Sequence, residues 1–491
     1  MIDSYKKTPS LKLNAVFNVI RQLMILIFPL ITFPYSSRIL LPEGIGKVAF
    51  ARSFIDYFIT IATLGISTYG IREVAKVRDD RGQLSKVSRE ILTINMVSTV
   101  IAYLLLFIAM ISIPKLADYR SLLVVISAKI LFTALGLDWL YGGIEDYGYI
   151  TLRAFMFQII SVILLFAFVH KPEDYLIYAS IAVISNVGSN ICNWIHSKKY
   201  INLFSRTRLE IKKHLKPVFT MFAMAEVSKI YLVLDVIMLG FFCGDWDVGI
   251  YTAATKINRI VLHMITAIGF VVLPRLAFYI KNSDEKKFQE LVYKNFDVFF
   301  LLSIPSTIGL CLIGNAAVLA FSGEKYMAAI PVMRIMNPII VITGIGSVVG
   351  TQTFIPMGKE KLVLYALLIG SVCNIFLNII LIPKYQAMGA AIATLISQCV
   401  LSGTELFWCR KIVDLKRVGR FFMIYLGNSL VMAIFAFICI RFIPGLWTGT
   451  IIAICVGVVI YGVLLFIEKN RFVMDLFKSL KRRITYEHRT D

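Results

Sequence analysis

The stretch GKVAFARSFIDYF, residues 46–58, lies inside a segment that is otherwise apolar enough to cross a bilayer. It carries Arg52 and Asp56, four residues apart. A charged side chain at the centre of a membrane helix costs about 2.5–3.5 kcal/mol even on the lenient insertion scale, so something must offset that cost. Long apolar segments that hold a few charges recur along the whole chain, and they decide the class of fold.

The composition is that of a membrane protein. Of the 491 residues, 58% are hydrophobic and 16% are charged. A soluble protein of this size cannot bury so much apolar surface, which predicts an all-α polytopic membrane protein. The net charge of +21 lies in short basic clusters between apolar runs, a pattern typical of cytoplasmic loops rather than of a nucleic-acid-binding domain. The eight cysteines show no paired spacing, which argues against a disulfide framework or a metal site, and no cofactor is expected.

Apolar stretches long enough to span a bilayer recur fourteen times, and they predict fourteen transmembrane helices. The predicted spans are residues 13–33, 44–69, 91–113, 121–143, 154–169, 175–196, 217–243, 249–274, 295–321, 331–353, 362–382, 388–409, 421–443 and 448–468. The loops and termini on one side of these spans hold 36 Lys and Arg residues, and the opposite loops hold 7. This imbalance predicts that both termini are cytoplasmic.

An internal repeat emerges when the chain is shifted by 203 residues. Gly46 then aligns with Gly249, and Asp56 aligns with Arg259. Six spans separate the copies, so the two halves run parallel and would be related by an axis along the membrane normal. The predicted organisation is an N-terminal lobe (1–200, helices 1–6), a C-terminal lobe (201–415, helices 7–12), a helix pair (416–468) and a basic cytoplasmic tail (469–491).

Polar side chains follow one face of several predicted spans at helical spacing. Span 8 carries Thr252, Lys256, Arg259, His263 and Thr266, span 2 carries Arg52, Asp56, Thr60, Thr63 and Ser67, span 1 adds Asn14, Asn18 and Arg21, and span 7 adds Glu226 and Lys229. One interpretation is an aqueous cavity between the lobes, whose excess of cations favours an anionic, phosphate-bearing ligand. The alternative is a set of structural pairs, such as Asp56 with Arg52 and Glu226 with Lys229.

Sequence signatures of other functional classes are absent. No GxxxxGK motif occurs, which argues against ATP hydrolysis within the chain. Of the five histidines only His263 lies deep in a predicted span, and a lone histidine on a basic stripe is more typical of a polar lining than of a catalyst. The interpretation is therefore a membrane transporter, not an enzyme.

Four stretches resemble Wzx-type flippases, which move polyprenyl-diphosphate-linked oligosaccharides. They are FPYSSRILLPEGIGKVAF (33–50), LGISTYGIREVAK (64–76), DWLYGGIEDYGYITLR (138–153) and the segment 352–398, which contains Asn374, Asn378, Pro383 and Gly389-Ala390-Ala391. The resemblance implies the multidrug/oligosaccharidyl-lipid/polysaccharide exporter superfamily, with two six-helix lobes, a central cavity and alternating access. The related lipid II flippases rely on cations of helices 1, 2 and 8, which correspond here to Arg21, Arg52 and either Lys256 or Arg259.

The expected function is translocation of a lipid-linked glycan across the bacterial plasma membrane by a monomer. Arg21, Arg52, Lys256 and Arg259 would bind the diphosphate, with Asp56 and His263 in the same lining. Asp56 and Glu226 are candidate sites for proton or sodium coupling. A cation-coupled small-molecule exporter of the same superfamily is the first alternative, and a polysaccharide polymerase or acyltransferase is the second. The sugar, the coupling ion and the final polymer (capsule, teichoic acid or O-antigen) stay open.

Overall fold

A computed structural model describes residues 11–203, 208–470 and 474. The side chains of residues 11–23, 25–26, 223–232, 267–268 and 270–271 lie outside this description. Within the described ranges the regular secondary structure is helical, and no strand occurs. The predicted all-α class is therefore confirmed. The predicted cytoplasmic tail falls almost entirely outside the described residues.

The α-helices follow one another along the chain with short connections. They are α1 (Leu11–Thr63), α2 (Ile66–Val77), α3 (Arg81–Ser112), α4 (Arg120–Leu135), α5 (Asp138–Gly143), α6 (Tyr147–Phe168), α7 (Tyr175–Ser197), α8 (Lys212–Phe242), α9 (Asp245–Lys281), α10 (Glu285–Leu312), α11 (Gly314–Phe321), α12 (Ala329–Met336), α13 (Ile339–Gly346), α14 (Glu360–Cys409), α15 (Leu415–Phe442) and α16 (Leu446–Ile467). A π-helix, Ser347–Phe354, continues α13.

Each of the fourteen predicted spans falls on these helices. In the described residues, ten helical segments are long and apolar enough to cross a membrane, and two of them are about 50 residues long. These two contain breaks, at Leu41 (φ 59°) in α1 and at Gln386 (φ 52°) in α14. Pro42 follows Leu41, and the residue before a proline is driven out of the α region by the proline ring. Each long segment therefore holds two consecutive predicted spans joined by a kink instead of a loop.

Several helices extend well beyond the apolar spans. Helix α3 begins at Arg81, ten residues before the predicted span. The Asp80 carboxylate caps it by accepting hydrogen bonds from the backbone N–H groups of Gly82 (2.8 Å) and Gln83 (3.1 Å). Hydropathy detects only the part of a helix that meets lipid, so these polar first turns escape a span count.

The chain forms two compact units. The N-terminal unit comprises Met1–Thr252, Phe321–Tyr326 and Ile375–Ala390, and the C-terminal unit comprises Ala253–Ala320, Met327–Asn374 and Ala391–Asp491. One part of the core of the N-terminal unit is built from buried side chains of α2, α3, α5 and α8, among them Ile66, Ile91, Leu140 and Val218. The lobe boundaries expected from the repeat stay a prediction.

Two glycines that the repeat aligns meet within the N-terminal unit. A Cβ atom added to Gly46 would overlap the carbonyl oxygen of Asp245, and one added to Gly249 would overlap the carbonyl oxygen of Pro42. Residues 42 and 46 correspond to 245 and 249 under the 203-residue shift, so the contact is reciprocal. Glycine is required on both sides because the two backbones touch.

Candidate functional site

Arg52 and Asp56 lie on the second half of α1 in the N-terminal unit. The Arg52 side chain is exposed, and it makes no hydrogen bond or ion pair with any residue that the structure describes. Asp56 is partly buried, and its Oδ1 lies 3.8 Å from Nζ of Lys129 on α4. The i, i+4 pair between Arg52 and Asp56 is therefore not formed, and the guanidinium of Arg52 is presented to the surroundings.

The threonine hydroxyls of this polar face bond to their own helix. Thr60 Oγ1 donates to the Asp56 carbonyl (2.9 Å), and Thr63 Oγ1 donates to the Thr60 carbonyl (3.3 Å). Serine and threonine within helices often satisfy their hydroxyls in this way. The face thus offers an outside ligand mainly the charges of Arg52 and Asp56.

The second polar face lies on α9, in the C-terminal unit. Lys256 is partly buried, whereas Arg259 and His263 are exposed. Helix α9 runs without a break through these positions, so their spacing of three and four residues places them on one side. Thr266 Oγ1 donates to the Leu262 carbonyl (3.0 Å), as the threonines of the first face do.

Three other charged residues singled out from the sequence lie on described helices, but their side chains fall outside the described part. Arg21 lies on α1, and Glu226 and Lys229 lie on α8. Their roles in ligand binding and ion coupling stay predictions.

Two charged residues within membrane helices were not predicted from the sequence to have a role. Lys129 and Asp138 are the two charged residues of the fourth predicted span, and the position of Lys129 among apolar neighbours was the signal that could have identified it. Asp235, on α8, is 4% exposed. Its Oδ2 accepts from the Tyr251 hydroxyl (2.6 Å), and its Oδ1 accepts from Asn378 Nδ2 (2.6 Å). These bonds satisfy both oxygens of a carboxylate that would be costly to bury alone.

A third group of polar side chains involves the two ends of the stretch 138–153, which resembles the flippase family. The Asp138 Oδ1 atom accepts from Arg153 Nη2 (3.2 Å) and from Asn193 Nδ2 (2.7 Å). Arg153 also donates through Nη1 to the Ser189 carbonyl (3.1 Å), and it is 8% exposed. The group joins α5, α6 and α7, so its role is to hold three helices together.

A buried carboxylate also fixes the segment that leads into α8. Glu90, fully buried on α3, accepts from His214 Nε2 (2.7 Å), Lys213 Nζ (3.1 Å) and the backbone N–H of Glu210 (2.8 Å). The Tyr69 hydroxyl lies 2.6 Å from the other ring nitrogen of His214. Helices α2, α3 and α8 are thereby linked by polar bonds at one end of the N-terminal unit. Among the described residues, no group of three or more His, Cys, Asp and Glu side chains is placed to hold a metal ion.

Comparison with known proteins identifies the family. The family model for polysaccharide biosynthesis proteins matches residues 11–279, more than half of the chain. The chain belongs to the polysaccharide biosynthesis protein family. It is 22% identical over 403 residues to the "Putative O-antigen transporter" of Escherichia coli (strain K12), an alignment that covers 82% of this chain and 97% of the relative. It is 23% identical to the "Capsular polysaccharide biosynthesis protein CapF" of Staphylococcus aureus, over 73% of this chain and 89% of that protein.

Solved structures share the fold. The lipid II flippase MurJ in an inward closed conformation superposes with a TM-score of 0.76 at 18% identity, covering 95% of this chain and all of that one. An inward-facing multidrug resistance transporter of the MATE family, in the MOP superfamily, gives a TM-score of 0.65 at 14% identity, over 83% of this chain and 98% of that one. These likenesses confirm the fold that was expected from the resemblance to the exporter superfamily. They also confirm that the protein crosses the membrane several times.

Proposed function

We propose that this protein is a flippase. It moves a polyprenyl-diphosphate-linked oligosaccharide from the inner to the outer leaflet of the bacterial plasma membrane, for assembly of a surface polysaccharide such as capsule, teichoic acid or O-antigen. The relatives named for O-antigen transport and capsular polysaccharide biosynthesis, and the fold shared with a lipid II flippase, support this class of substrate. The proposal makes the protein a transporter and not an enzyme.

The observation that carries the proposal is the exposed guanidinium of Arg52 on a membrane helix. This guanidinium has no protein partner in the described ranges. Such a charge is costly in hydrocarbon and needs water or a ligand to stabilise it. A diphosphate suits it because the planar guanidinium donates two parallel hydrogen bonds to phosphate oxygens. Arg259 offers the same chemistry on α9, and Lys256 adds a positive charge without the planar geometry.

The transport cycle follows from these groups. The diphosphate binds in a polar cavity to Arg52, Lys256, Arg259 and Arg21, with Asp56 and His263 beside them. The polyprenyl tail stays in lipid while the cavity opens first to the cytoplasm and then to the outside.

Both termini lie in the cytoplasm because the Lys-rich and Arg-rich loops are on that side. The functional unit is a monomer, and proton or sodium coupling supplies the driving force.

Export of surface glycan by cells carrying single substitutions tests the binding residues. R52A and R259A should each lose most export, since one charge-assisted hydrogen bond contributes about 1.5–3 kcal/mol, or roughly 10- to 150-fold in binding. R52K should keep part of the activity because the charge remains but the two-pronged geometry does not. R441A is the matched control, because Arg441 is an exposed arginine on α15, outside the twelve predicted lobe helices. Unchanged export by both R52A and R259A would contradict the assignment.

The MATE-like fold makes a cation-coupled small-molecule exporter the second candidate. The leaflet in which lipid-linked glycan accumulates after gene deletion separates the candidates. Accumulation in the inner leaflet supports the flippase, whereas unpolymerised units on the outer leaflet would indicate a polymerase. Normal export with no accumulation would favour the small-molecule exporter.

A further inference from the structure

A carboxylic acid that has no partner among the described residues lies inside the C-terminal unit. Glu405, on α14, is 2% exposed, and its Oε2 atom has no hydrogen-bond partner among the described residues. No ion pair to Glu405 is formed within the described ranges either. Asp235 and Glu90, buried in the other unit, each have their oxygens satisfied. Glu405 therefore differs from both, and neither the polar faces nor the proposed diphosphate site uses it.

The Glu405 carboxyl packs on bare helix backbone. A Cβ atom added to Gly350 would lie 2.5 Å from Oε1, and one added to Gly346 would lie 2.9 Å from Oε2. Any other residue at these positions would displace the carboxyl. Gly350 belongs to the π-helix Ser347–Phe354, in which the backbone N–H of Ile355 bonds to the Gly350 carbonyl five residues earlier. π-Helical turns often mark functional positions, where the regular helical ladder is interrupted.

The described residues around Glu405 offer no charge that would balance its ionised form. Helix α13 and the π-helix, which pack against it, carry no titratable side chain. On its own helix the nearest titratable neighbour is the Cys409 thiol, one turn away. The nearby positive charge of Lys359 favours the ionised form of that thiol. Helix α10 packs on α13. Two of its titratable side chains have other partners: Tyr293 accepts from the Asp414 backbone N–H, and Asp297 accepts from the Tyr425 hydroxyl.

A buried carboxylate without a counter-charge takes up a proton instead of remaining ionised. A metal cation would need several oxygen ligands around it. The carboxyl lies against Gly346 and Gly350, and the Ser402 hydroxyl beside Gly346 already accepts from Gln398 Nε2 (3.1 Å). Among the described residues, no group of three His, Cys, Asp or Glu side chains is placed to hold a metal ion. The site therefore suits a proton.

We propose that Glu405 is a proton-binding site that couples glycan translocation to the proton gradient. In the conformation described here the carboxyl is protonated against Gly346 and Gly350. When this contact opens to water, the O–H bond breaks and the proton leaves, so that the carboxylate is ready to accept another. The inference rests on the proposed flippase function, and it places coupling at a residue other than Asp56 and Glu226.

Infrared difference spectroscopy of the purified full-length protein tests the protonation directly and needs no substrate. Wild type should show the carbonyl-stretch band of a protonated carboxylic acid at neutral pH, and E405Q should lose that band. E360Q is the matched control, because it makes the same chemical change at an exposed position on the same helix; it should keep the band. A spectrum without the band in wild type, or with the band intact in E405Q, would overturn the inference.

Translocation in vesicles tests the coupling. The probe is the lipid-linked glycan that accumulates in cells lacking the gene, incorporated into vesicles with an imposed pH gradient. Acidifying the receiving side should accelerate wild type and E360Q several-fold and leave E405Q unaffected, whereas E405D, which keeps an acid, should respond at a lower rate. Gradient-dependent transport by E405Q, or gradient-independent transport by wild type, would overturn the inference. Absence of any wild-type transport would count against the flippase function, and the infrared band would still decide the proton site.

Discussion

Substituting alanine for Gly249 should force apart the two helix segments that cross in the N-terminal unit. The new Cβ would overlap the Pro42 carbonyl oxygen and lie 2.6 Å from its carbon. Carbon atoms in contact normally stand about 3.5–4.0 Å apart, so the crossing must widen by roughly 1 Å. G46A should act in the same way, because its Cβ would meet the Asp245 carbonyl.

The size of the effect follows from two opposing contributions. Overpacking a tight contact costs about 1–3 kcal/mol. Replacing a helical glycine by alanine returns about 0.8–1.0 kcal/mol through helix propensity. G309A supplies the matched control, since Gly309 lies within α10 and an added Cβ would have no atom within 4 Å. The propensity gain is common to both variants, so G249A should be less stable than G309A by about 1–3 kcal/mol.

Thermal unfolding of the purified variants measures this difference. The midpoints of G46A and G249A should fall below that of G309A, which should match or exceed wild type. The double variant G46A/G249A should cost less than the sum of the single ones, because the first substitution already separates the helices at the shared contact. Equal midpoints for G249A and G309A, or strictly additive losses in the double variant, would refute a reciprocal glycine crossing.

Three further predictions concern the polar groups of the N-terminal unit. E90Q should destabilise the protein by about 1–3 kcal/mol, because the new amide places a donor against His214 Nε2–H, and denaturant unfolding checks this loss. R153M should cost a similar amount by removing the charged donor that bonds to Asp138 and to the Ser189 carbonyl, and the same denaturant series measures it. Hydrogen bonds from Lys86 and Lys213 hold the pKa of Glu210 below its usual value, so its stabilising contribution is present at neutral pH and is lost as the pH falls through that lowered pKa. E210Q should therefore be less stable than wild type at neutral pH, and the two unfolding midpoints should converge in acid.

The positions of the apolar spans could be predicted because hydropathy acts locally. All fourteen predicted spans fall on described helices, although several, such as 331–353, are divided between two or more helices. The kinks at Leu41 and Gln386 were missed, since polar residues such as Arg38 and Lys384 between two runs indicate a loop equally well. Arg52, Arg259 and His263 are exposed, whereas Thr60 of the same predicted face as Arg52 is buried, and the predicted roles of these residues in binding stay predictions.

Partners across helices could not be predicted from spacing. Asp56 was matched with Arg52 because they are four residues apart, but the structure brings Lys129 of another helix to it. Glu405 and Asp235 were overlooked because one acid in a long apolar run leaves the span count unchanged. Only the packed structure shows that Asp235 has its hydrogen bonds and that Glu405 Oε2, among the described residues, has none.

The flippase proposal is tested most directly by translocation in liposomes reconstituted with the purified full-length protein. The lipid-linked glycan from the deletion cells is placed in one leaflet, and a membrane-impermeant glycosidase added on the other side reports its arrival there. The wild-type protein should make the glycan accessible to the enzyme, R441A should do the same, and R52A should fall roughly 10-fold or more below both. Glycan that stays as protected with the wild-type protein as in protein-free liposomes would contradict the flippase function.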